Sequence, residues 1–164
     1  MLDTETKQDG KFHKRDKHEV WDDGSLIVKT EQVPWTEWAL PGTRFKLLDY
    51  NRNISYVVFL LKIDADATPT IHKHIGAANA YILQGGFYYD KGGVREGDYF
   101  VEAGGVSHTP VTDEDGCLLL GFGNGAIAGF NEDGSVAGII DVDWMIDAAK
   151  ANNAFAHLEN AVRS

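Results

Sequence analysis

Two histidines, His72 and His74, stand one residue apart in the stretch TPTIHKHIGAANAYILQGG, which runs from Thr68 to Gly86. The aromatic and β-branched residues that follow them read as β-strand, where alternate side chains project from one face. Two imidazoles on one face suit a divalent metal ion, because each offers a neutral nitrogen lone pair. A hard ion at a two-histidine site usually recruits a carboxylate from nearby, yet no Asp or Glu lies between Lys73 and Gly86. The ligand set must be completed from elsewhere in the chain.

The next candidate is His108, at the end of GDYFVEAGGVSHTP, which reads as a strand, a glycine turn and a third histidine. Around these segments the chain reads as short strands: SLIVKT, RFKLLDY, ISYVVFLLKI, AYILQ, GFYYD, DYFVEA, CLLLGF, AIAGF and SVAGII. DKGG, DEDG, GNG and NEDG mark the turns between them. VPWTEWALPG carries prolines that exclude a regular central strand. Such a series of short strands favours a sandwich or barrel, with residues 19–141 as its extent. From Val142 the apolar period changes to three and four residues, through Met145, Ala148, Ala149, Phe155, Leu158 and Val162. Residues 142–164 therefore read as a helical segment, with Asp141 or Asp143 as its cap and Asn152 and Asn153 as a point where it breaks. The pattern leaves open whether it docks on the barrel or on a second subunit.

A chain of 164 residues with 43% hydrophobic content is long enough to bury a real core. The net charge of −10 argues against nucleic acid, since phosphate binding needs clustered Lys and Arg. The basic run KFHKRDKH is interleaved with acid and falls in a polar arm, residues 1–18, that reads as a solvated tail. No apolar run is long enough to cross a membrane or to form a signal-peptide core, so the expected location is cytoplasmic. The single cysteine, Cys117, lies in apolar CLLLGF and reads as a small buried hydrophobe. His13, His18 and His157 sit in the arm and the terminal helix, away from the histidine pattern, and read as structural or solvated.

Taken together, HKH and GDYFVEAGGVSH resemble the two signature motifs of the cupin superfamily. Gly97, Ala103 in the usual proline position, Gly105 and His108 reproduce the second motif's spacing, with Thr112 where a closing Asn is expected. The resemblance implies an all-β double-stranded β-helix, or jelly-roll barrel, with the C-terminal helix appended. It also implies a metal held by His72, His74 and His108. The first motif departs from the family: its Glu position falls on Ala78 or Asn79. Asn79 offers only a weak carbonyl ligand, so a three-histidine site is the simpler reading.

Three neutral imidazoles leave a divalent ion its full charge, which an anionic substrate would compensate. Within the cupins the arrangement, from about Trp35 to Asp143, resembles the three-histidine acetylacetone dioxygenases and 2,4'-dihydroxyacetophenone dioxygenases. That resemblance implies Fe(II), a β-diketone or α-hydroxyketone bound as its enolate, and O2-dependent cleavage of a carbon–carbon bond. A homodimer is implied as well. Glu102, six residues before His108, is an acid in apolar YFVEA; it either orients a histidine or takes the substrate proton, or else faces solvent on an alternating strand. Tyr81 lines the pocket if Asn79 points inward; otherwise Ala80 and Ile82 do. Phe59, Phe87, Tyr89 and Phe100 read as cavity walls or plain core. Competing readings are an isomerase or lyase using Zn, Ni or Mn as Lewis acid, a zinc-binding sensor module like the cupin domain of some anti-sigma factors, and a structural storage cupin.

Overall fold

Strands form where apolar and polar residues alternate, and they break where glycine or asparagine permits a left-handed backbone. The computed structural model describes residues 17–67, 70–112, 114–159 and 161, so most of the basic arm, His13 included, lies outside the described residues. Among the described residues thirteen strands follow one another: β1 (Glu19–Val20), β2 (Leu26–Ile27), β3 (Thr36–Glu37), β4 (Thr43–Asn51), β5 (Tyr56–Ile63), β6 (His72–His74), β7 (Ala78–Tyr89), β8 (Gly92–Arg95), β9 (Tyr99–Glu102), β10 (Ser107–His108), β11 (Cys117–Asn124), β12 (Ile127–Phe130) and β13 (Val136–Ile140), and an α-helix, α1 (Val142–Ala151), follows them.

The larger sheet has the order β3-β4-β5-β11-β7-β8, with β9 also paired to β7, and the smaller has the order β10-β6-β12-β13. Pairing is antiparallel throughout. The two sheets make the expected all-β double-stranded β-helix, closed over a core that includes Phe45, Leu47, Phe59, Ile82 and Leu119. Trp38 meets Phe59 edge-on at 5.3 Å, a favourable aromatic geometry at one end of that core.

The run AYILQGGFYYD departs from its sequence reading. AYILQ and GFYYD read as two separate strands, but β7 runs unbroken through both. Gly85 adopts a left-handed φ of 65° inside the strand, and a Cβ there would sit 2.1 Å from the Gly116 carbonyl oxygen. Gly85 thus lets the chain at Gly116 approach closely and Gly86 does the same for Val94 of β8, as β7 changes partner from β9 to β8.

The helical segment divides as its asparagines suggest. Asp141 Oδ1 accepts the Trp144 backbone N–H at 2.8 Å and caps α1, and the chain turns at Asn153 with φ of 54° before a short 3-10 turn. Val142, Met145, Ile146 and Ala149 are the buried stripe of α1, and Phe45 of β4 reaches Trp144 at 6.3 Å. The helix therefore packs on its own barrel. His157 beyond it is buried, bonded to the Leu47 carbonyl at 2.7 Å, with its ring tilted against that of His18 at 5.2 Å.

Ile146 is fully enclosed between helix and sheet. Ile146→Ala should lower stability by about 3 kcal/mol, the usual cost of emptying such a site, read as a shift in the urea midpoint. An unchanged midpoint would mean that the helix does not depend on this contact.

Candidate metal centre

The strand period places both histidines of HKH on one side of β6: His72 and His74 are each 5% exposed, with Lys73 between them facing the other way. β10 pairs with β6 in the register His108 to His72, so the third ring stands directly beside the first. The turn between β9 and β10 fixes that register. Gly105, with φ of 84°, donates its N–H to the His74 carbonyl at 2.7 Å, and His74 donates back to Val106 at 3.1 Å. At the other end of β6, a side chain at Gly76 would meet the Asn124 carbonyl oxygen at 1.5 Å, so only glycine lets the strand turn away there. The three rings lie with centroids 4.5, 5.0 and 5.3 Å apart.

Hydrogen bonds at the far side of two rings decide which nitrogens face inward. His72 Nδ1 lies 3.2 Å from the Thr70 carbonyl, which can only accept, so Nδ1 carries the proton. His108 Nδ1 lies 3.0 Å from Glu102 Oε1 and donates to it in the same way. In neutral rings both Nε2 atoms are then bare, yet they stand 2.9 Å apart. Two lone pairs do not face each other at that distance without a proton or a cation between them. His74 Nε2 is buried and makes no directed hydrogen bond, although Glu102 Oε2 lies 2.9 Å away. Burial pushes the His72 pKa down to about 4, so this ring is neutral and ligand-ready near pH 7. One ligand atom from each histidine falls within 4.8 Å of the others, and the donor set fits a divalent ion.

Glu102 brings a carboxylate beside the histidines, outside the group whose ligand atoms converge. It faces inward with its side chain 14% exposed, touching His74 through Oε2 and His108 through Oε1. Its solvent-facing alternative is excluded by the strand's own alternation, in which Tyr99 and Val101 take the outer face. Burial alone would raise the Glu102 carboxyl; the contacts of His108, His74 and Tyr89 outweigh it and hold the group well below the ordinary carboxylate range.

Tyr89 is the residue that the sequence did not single out. Its hydroxyl donates to Glu102 Oε1, and its ring stacks on His108 at 4.6 Å with the planes 14° apart. Its signal was parity alone: Phe87 and Tyr89 alternate toward the interior of β7. Asn79 and Tyr81 correct the expectation in the other direction. Tyr81 is 43% exposed on the outer face, and Asn79 Nδ2 donates to the Tyr99 hydroxyl at 2.5 Å, so neither side chain turns toward the histidines. Ala80 and Ile82 occupy the inner positions instead.

His72 and His74 open onto a cavity of about 100 Å³. Its walls include Phe59, Phe87, Tyr89 and Phe100 together with Trp38 and Leu119. Among the described residues no helix is long and apolar enough to cross a membrane.

The sequence model of the family described as the ChrR cupin-like domain matches residues 23–126. No curated protein matches the chain. Among solved structures, the chain is similar to an RmlC-like cupin protein from Ralstonia eutropha, with a TM-score of 0.71, 17% identity, and coverage of 77% of this chain and 85% of that one. An acetylacetone dioxygenase from Acinetobacter johnsonii matches with a TM-score of 0.69 and 16% identity, over 85% of this chain and 98% of that one. The complex of SigE with the anti-sigma ChrR from Rhodobacter sphaeroides contains a match with a TM-score of 0.50 and 24% identity, over 59% of this chain and 51% of that one. At these identities the likeness is one of fold.

The burial of His72 makes the metal-free protein acid-sensitive. Its pKa is about 4 when folded and 6.5 when exposed, so the unfolded chain takes the proton first. Stability is full above pH 6.5 and falls toward pH 4, by at most about 1.4 kcal/mol per pH unit. Urea midpoints of metal-free protein should drop between pH 6.5 and 4.5, and His72→Gln should flatten that slope. A wild-type profile level across the window would contradict the assignment.

Proposed function

The chain belongs to the cupin family described as the ChrR cupin-like domain, and on that footing we propose that it is an Fe(II)-dependent dioxygenase cleaving a carbon–carbon bond of a β-diketone or α-hydroxyketone. The observation that carries this reading is the convergence of three histidine nitrogens, with His72 and His74 at the wall of an apolar cavity. His72, His74 and His108 would hold the metal. Bound there, Fe(II) would supply Lewis acidity that favours an enolate and the redox chemistry that engages O2.

The remaining work falls to the chain's own groups. Phe59, Phe87 and Phe100 exclude water and present flat apolar walls to a small carbonyl compound. The cavity, about 100 Å³, has room for a small carbonyl compound. Glu102 Oε1 holds the His108 Nδ1 proton, so its first role is to keep that ring's Nε2 aimed inward. Its depressed pKa makes it a weak base, which favours this orienting role over removal of the substrate proton. A cytoplasmic location and a homodimer complete the reading. Tyr81, Leu83, Tyr99 and Val101, all exposed on neighbouring strands of one outer face, support the latter.

A zinc-binding sensor module is the second reading, favoured by the family's description and by the match within the SigE–ChrR complex. Oxygen uptake separates the two. Protein loaded anaerobically with Fe(II) should consume O2 with acetylacetone or 2,4'-dihydroxyacetophenone and release a carboxylate, and His108→Ala should lose at least about a hundred-fold in rate. Stoichiometric metal binding with no uptake on any such ketone would reject the dioxygenase and leave the sensor or an oxygen-independent enzyme.

A further inference from the structure

We propose that Tyr89 is a positioning residue for the metal centre: its hydroxyl, acting through Glu102, and its ring, acting by direct stacking, together set the direction in which His108 Nε2 points. This inference rests on the three-histidine site of the preceding reading and not on the reaction. Tyr89 reaches His108 by two separate routes. Its ring lies face to face with the imidazole, with centroids 4.6 Å apart and planes 14° from parallel. Its hydroxyl donates to Glu102 Oε1, the same oxygen that accepts the His108 Nδ1 proton at 3.0 Å.

The two routes restrain different motions. An imidazole turns about its Cβ–Cγ bond, and a flat ring stacked on it blocks that turn from one face. The Nδ1–H bond fixes the tautomer and tilt of the ring only while its acceptor stays in place. A glutamate carboxylate has a broad last torsion, so one hydrogen bond holds it loosely. With two donors on one oxygen, turning the carboxylate breaks two charge-assisted bonds instead of one. Removing the hydroxyl leaves Oε1 with His108 alone and loosens the acceptor on which that ring depends. The barrel in turn holds Tyr89. Tyr88 exchanges backbone hydrogen bonds with Val111 at 2.9 and 3.0 Å, which ties the end of β7 to the segment that follows His108. Phe87 and Phe100 meet the Tyr89 ring at 5.4 and 6.1 Å. Phenylalanine would fill the same space, but only tyrosine supplies the donor.

The test is Co(II) binding, followed by visible absorption and by competition against a chelator, in wild type, Tyr89→Phe, Tyr89→Leu, Glu102→Ala and the double variant Tyr89→Phe with Glu102→Ala. Tyr89→Phe, which keeps the ring and loses the donor, should bind Co(II) about three- to ten-fold more weakly, and Tyr89→Leu, which loses both, more weakly still. In the Glu102→Ala background the change to phenylalanine should cost less than about two-fold, because the hydroxyl acts through the carboxylate. A Tyr89→Phe affinity within about two-fold of wild type, or an equal loss with and without Glu102, would overturn the proposal. Should Glu102→Ala not fold, the His108 Nδ1 proton decides, followed by NMR in the Zn(II)-loaded protein. Faster exchange of that proton with solvent in Tyr89→Phe than in wild type supports the role, and equal exchange rejects it. Failure of wild type to take Co(II) would overturn the three-histidine site, and this role with it.

Discussion

The pairing of β6 with β10 in the register His72 to His108 is the constraint on which the site depends. It is made by few atoms: two short strands, one glycine turn and the reciprocal bonds of Gly105 and Val106 with His74. A slip by one residue would turn His108 to the opposite face and leave two rings without a third. The 2.9 Å approach of two bare Nε2 atoms follows from that register.

Holding that arrangement together without an ion is unfavourable. Three buried imidazoles and a buried carboxylate are packed where an all-apolar core would be more stable, and the lone pairs of His72 and His108 oppose each other. The barrel carries this burden with its well-filled far end, where Phe45, Leu47, Ile82 and the α1 residue Ile146 are fully enclosed. Binding of a metal would return the stored cost as affinity, since the ligands need not be gathered first.

Much of this was legible in the residues. HKH and the span from Gly97 to His108 carried the candidate ligands because period-two alternation and a glycine-bounded turn are local rules. The all-β class and the helix capped at Asp141 followed from the same kind of signal. What local rules do not carry is parity between strands. The inward turn of Glu102 depends on β7 to β9 register, and so does the outward turn of Asn79 and Tyr81. Tyr89 stayed hidden for the same reason, since its partner Glu102 lies 13 residues away on another strand. AYILQ and GFYYD read as separate strands because the glycines that join them are there for close approach to Gly116 and to β8, which only the neighbouring segments reveal. The docking of α1 on its own barrel was equally a question of tertiary contact.

The most direct measurement of the central claim is X-ray absorption at the metal edge of protein loaded with one equivalent of Zn(II) or Fe(II). The account predicts three imidazole nitrogens in the coordination shell, with outer-ring scattering that diminishes when His72, His74 or His108 is replaced. A shell with one imidazole or none, or one unchanged by those replacements, would contradict it.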